Sequence, residues 1–101
     1  MIDTPTEKAA EIMDYYGAER QLPILCEECA ELIQQACKCQ RKGLTMHDDF
    51  IEELADVKIM IAQFESIMKL SERLALERAI TYKVKRQLER IRIEKERETH
   101  F

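Results

Sequence analysis

Residues 48–69 read DDFIEELADVKIMIAQFESIMK. Phe50, Leu54, Val57, Met60, Ile61, Phe64, Ile67 and Met68 recur at helical spacing and define one broad apolar stripe. Glu53 projects onto the middle of that stripe, between Met60 and Phe64, and Asp56 lies at its edge. Burying an ionised carboxylate without a partner costs several kcal/mol or more, so a glutamate on a core face is protonated, paired with a cation or bound to metal.

Upstream, residues 27–31 (EECAE) repeat the arrangement of residues 52–56 (EELAD). In each motif two carboxylates stand three residues apart, about 60° around a helix, so their side chains project side by side. Leu25, Cys29, Leu32, Ile33 and Ala36 form the apolar face of this earlier helix, Glu28, Glu31 and Gln35 share its border, and Glu27, Gln34 and Lys38 look away to water. Two such borders facing each other enclose Glu28, Glu31, Glu53 and Asp56, an all-oxygen set that suits Mg²⁺ or Mn²⁺.

Thr4, Pro5 and Glu7 supply a cap, a first-turn proline and a capping-box partner for a short helix that Gly17 closes. A second helix is expected from about Gln21 to Gln40, with Pro23 in its first turn and Arg41-Lys42-Gly43 at its end. Thr45 with Asp48 caps a third that runs to about Lys69, and Ser71 caps a fourth carrying Leu76, Ile80, Val84, Leu88 and Ile91. With no strand pattern, repeat or linker, the expected fold is all-α: an antiparallel bundle of about four helices in a single domain over residues 1–101.

Composition agrees, since two glycines, two prolines and 36 % charged residues describe long amphipathic helices with few breaks. No apolar run approaches the length of a membrane span, and MIDTPTEKAAE has neither the basic flank nor the apolar centre of a signal peptide, so a cytoplasmic protein is expected. Of the four cysteines, Cys26 and Cys29 have zinc-like CxxC spacing. On one helix, however, Cys29 and Cys37 lie roughly 12 Å apart, too far to share an ion. Cys26, Cys29 and Cys37 therefore read as small core or interface residues in a reducing compartment.

The net charge is −4, yet residues 83–98 carry seven basic and four acidic side chains. Lys83, Arg86 and Arg90 align on one helix face there, placed either to meet phosphate or simply to be solvated. The acidic balance and the lack of interleaved aromatics argue against long DNA or RNA.

These residues together resemble the all-α, MazG-like nucleoside triphosphate pyrophosphohydrolases. Tyr15-Tyr16-Gly17 with Gln21 is similar to the family's lead-in, EECAELIQQ to its first metal motif, IEELADVKIM to its second, and Tyr82-Lys83 with Arg86 to its carboxy-terminal basic element. The resemblance implies hydrolysis of a nucleoside triphosphate to a monophosphate and pyrophosphate, with Glu28, Glu31, Glu53 and Asp56 as catalytic metal ligands, Lys83 and Arg86 on the phosphates, and Mg²⁺ or Mn²⁺ as cofactor. It also implies a homodimer or dimer of dimers, which a small chain with apolar stripes on several sides favours independently. A ferritin-like di-iron bundle needs Glu-x-x-His pairs, and His47 and His100 stand in neither motif. The remaining alternative is a non-catalytic helical dimer whose acidic clusters pair with Lys and Arg across an interface.

Overall fold

Helix α1 (Pro5–Tyr16) starts at the proline, whose missing N–H is harmless in a first turn, and ends against Gly17. The computed structural model describes the backbone of residues 5–99 and the side chains of residues 7–99, so Thr4 and His100 lie outside the described residues. Gly17 has φ 83° and ψ 155°, a conformation that essentially only glycine adopts. Its N–H closes α1 on the Met13 carbonyl at 2.8 Å, and its own carbonyl accepts from Gln21 N–H at 3.1 Å, so one residue ends one helix and opens the next.

Helix α2 (Ala18–Arg41) begins three residues earlier than the sequence suggests. Pro23 is therefore inside the helix rather than in its first turn, and the Glu19 carbonyl has no amide there to accept from. The end of α2 is a Schellman turn: Leu44 N–H donates to Cys39 O at 2.8 Å and Gly43 N–H to Gln40 O at 3.4 Å, with Gly43 at φ 77°. Leu44 follows at φ 67°, the one non-glycine at positive φ among the described residues.

Helix α3 (Asp48–Ser66) ends three residues before the expected boundary. Its first turn is capped differently as well. His47 occupies the cap position and accepts from Phe50 and Ile51 N–H at 3.1 and 3.3 Å, while the Thr45 hydroxyl donates instead to the Lys42 carbonyl at 3.4 Å. Asp48 and Asp49 place negative charge against the helix dipole in that turn.

The chain divides into two compact units, Met1–Ile67 and Met68–Phe101. In the first, α1 and α2 both pack on α3, with a smaller contact between themselves. The core is built from Ala9 and Met13 of α1, Cys39 of α2, and Val57 and Met60 of α3. The apolar stripe of α3 is thus only partly covered: Leu54, Ile61 and Ile67 are exposed, because α1 and α2 meet a face narrower than the stripe. Cys26 and Cys37 are exposed and Cys39 is the buried cysteine, so Cys26 and Cys37 are not core residues of this chain; all four thiols are free.

The second unit contains α4 (Leu70–Thr99), none of whose residues is buried. Ser71 lies within the helix and does not cap it. The Glu72 carboxylate instead accepts the Lys69 N–H at 2.8 Å, half of a capping box, and Arg73 N–H reaches Lys69 O at 3.0 Å. Arg92 bridges Glu89 and Glu96 along the exposed surface. The described residues contain no strand, and no helix among them is long and apolar enough to cross a membrane.

Candidate metal centre

The site is a consequence of helix register. Gln21 precedes Glu28 by seven residues on α2, and Gln63 follows Asp56 by seven on α3. Gln21 and Gln63 are hydrogen-bonded, Glu28 and Asp56 share one cluster, and Glu31 acts on Glu53, so the pairs run in opposite order along the two helices. The α2–α3 pair is therefore antiparallel, and the two ExxE/ExxD motifs face each other across its seam.

One carboxylate oxygen each from Glu28, Glu53 and Asp56 lie within 4.8 Å of one another. Glu28 and Glu53 are half-buried and Asp56 is exposed. Although neither glutamate is fully enclosed, each turns its Oε2 out of solvent's reach, and neither of these oxygens has a hydrogen-bond partner. Buried polar atoms are nearly always paired, so two orphaned oxygens on adjacent carboxylates are acceptors that a cation could satisfy.

The electrostatics say the same. Burial pushes the Glu53 carboxyl up to about 7, and the negative charges of Glu31, then Glu28 and Asp56, push it in the same direction. Glu28 is also raised, first by burial and then by the charges of Glu31 and Asp56. Glu31 is exposed and stands outside the close trio, but its charge acts on both half-buried glutamates. Glu27, Glu52 and Lys38 are exposed, as their helix positions imply.

The donor set fits a hard divalent ion: it is all oxygen, carries up to three negative charges, and includes two glutamates with an unpartnered oxygen. Among the described residues the side chains close enough to hold an ion are these carboxylates, with no cysteine in the group.

Lys83 and Arg86 are in the second unit, exposed on α4 one turn apart. The Arg86 guanidinium lies 5.7 Å from the centre of the Tyr82 ring, a cation–π contact that holds the arginine against the helix. Sequence reasoning named Gln21 and Gln35 but missed Gln63 and its pairing with Gln21. Gln63, next to Met60 on the buried face of α3, is 1 % exposed, and Gln21 is 7 % exposed. Gln35 Oε1 and His47 Nε2 are further buried atoms without a partner. The available signal was the position of Gln63 one turn beyond Met60, on a face read only for its apolar members.

No family model matches the chain, and no curated protein or solved structure matches it either.

Proposed function

We propose that this chain is a divalent-metal-dependent nucleoside triphosphate pyrophosphohydrolase of the MazG-like kind, cleaving (d)NTP to (d)NMP and pyrophosphate in nucleotide-pool housekeeping. The observation that carries the reading is the Glu28–Glu53–Asp56 cluster with its two orphaned oxygens. Phosphoanhydride hydrolysis requires neutralising charge on the phosphates and activating a water, and a bound Mg²⁺ or Mn²⁺ supplies both. Glu28, Glu53 and Asp56 would hold the ion, Glu31 would add negative potential, and one of the glutamates would orient or deprotonate the water. Lys83 and Arg86, one turn apart on α4, bind the phosphates. The four free thiols agree with a reducing, cytoplasmic setting.

The proposed assembly is a homodimer or dimer of dimers. It is supported by the exposed apolar side chains on α2, α3 and α4, which a second copy would cover.

Pyrophosphate release is measured over a panel of nucleoside triphosphates, with and without EDTA. Mg²⁺-dependent release from at least one of them is expected. Lys83→Ala and Arg86→Ala should each weaken triphosphate binding by about 1.5–3 kcal/mol, seen chiefly in KM. No release from any triphosphate would leave the non-catalytic dimer as the better reading.

A further inference from the structure

The α2–α3 seam has a second polar feature, and it is more deeply buried than the acid cluster. Gln21 Nε2 donates to Gln63 Oε1 at 2.8 Å, and Gln63 Nε2 donates to Met60 Sδ at 3.3 Å. Gln63 is 1 % and Gln21 7 % exposed. The equal seven-residue spacings put this amide pair two helical turns, about 10.5 Å, from the Glu28–Asp56 level of the seam.

The seam needs a directional contact. Four carboxylates face one another across it, and without a cation their repulsion favours a slip that separates them. The remaining burial on α3, at Val57 and Met60, is apolar and therefore non-directional, so it does not by itself forbid a slip of one turn. An amide–amide hydrogen bond does not tolerate such a slip, because both buried amides would lose their partner and keep their desolvation cost.

We propose that the Gln21–Gln63 hydrogen bond is the register lock of the α2–α3 pair, and through it the positioning device that holds Glu28 and Glu31 opposite Asp56 and Glu53. The consequence for metal binding rests on the proposed function, whereas the register itself is measurable without metal.

The test is the double variant Gln21→Leu/Gln63→Leu, which removes both amides together and leaves neither stranded. Its metal-free melting temperature should hold or rise, since apolar groups of similar volume replace a polar pair. Its Mn²⁺ affinity, by calorimetry, should fall about 10–100-fold, as when a ligand loses its orienting support. Side-chain NOEs between α2 and α3, recorded in EDTA, should move to a shifted register or several registers. Gln21→Met/Gln63→Met, unbranched like glutamine, serves the same measurements if the leucine pair does not fold.

An unchanged NOE pattern overturns the lock whatever the affinity does. Native Mn²⁺ affinity in a variant with a shifted register overturns the positioning role. If the native protein binds no Mn²⁺, the metal reading fails, and the NOE comparison still decides the lock.

Discussion

At the residue scale the chemistry concentrates on Glu53. Its carboxyl is pushed up to about 7 from an ordinary value of 4.5, by burial first and by three neighbouring acids after it. A carboxyl whose folded pKa exceeds its unfolded one binds its proton more tightly in the folded state. Its contribution to metal-free stability is thus most favourable at acidic pH and is lost as pH rises from 4.5 through about 7. Glu53→Gln should make that slope shallower in EDTA, leaving the smaller part due to Glu28, and at pH 8 it should melt above the parent protein. If the proposed centre binds Mg²⁺, the parent should gain melting temperature with the ion, and the same substitution should remove that gain and lower any turnover by orders of magnitude. Thermal melts across pH 4.5–8, with and without Mg²⁺, check both signs together; a Glu53→Gln protein that keeps the Mg²⁺ shift places the ion elsewhere.

At the scale of elements, helix starts and stops follow local chemistry that the sequence displays only in part. Pro5, Gly17 and the Lys42-Gly43 end of α2 were legible, because proline and glycine restrict or free the backbone by themselves. Thr45 and Ser71 were not, since a hydroxyl caps only when the chain turns it toward free amides; no side chain caps α3, and the Glu72 carboxylate serves the start of α4. The facing carboxylates were legible for a different reason: i, i+3 spacing fixes a helix face wherever the helix begins. What the pattern could not show was which part of the α3 stripe meets a neighbour, so Leu54 and Ile61 were over-read and Gln63 passed over. Gly17 gives the sharpest test at this scale. No atom lies within 4 Å of a β-carbon added there, so the cost of Gly17→Ala is purely backbone strain, about 1–3 kcal/mol. Urea unfolding should show that loss with an unchanged slope; an equally stable variant would mean that the α1–α2 junction relaxes without glycine.

At the scale of the whole molecule, the apolar surface that remains uncovered sets the expectation. The first unit buries five apolar side chains among its described residues, and α4 buries none. Helices draw most of their stability from packing an apolar face, and Ile80, Val84, Leu88 and Ile91 recur along α4 at helical spacing while each stays 45–60 % exposed. The charge distribution favours a second copy as the cover: residues 83–98 carry a surplus of positive charge in a chain whose total is −4, so unlike regions of two copies attract. Sedimentation at micromolar concentration should therefore give about twice the 11.9 kDa chain mass, and the melting temperature should rise with protein concentration. Val84→Asp/Leu88→Asp puts two charges into the stripe and should shift the population to monomer and lower the melting temperature, whereas Lys95→Ala, outside the stripe, should change neither. A monomeric parent with a concentration-independent melting temperature would show that α4 keeps its stripe in water, and the dimer would then have to be abandoned together with the interface reading of the non-catalytic alternative.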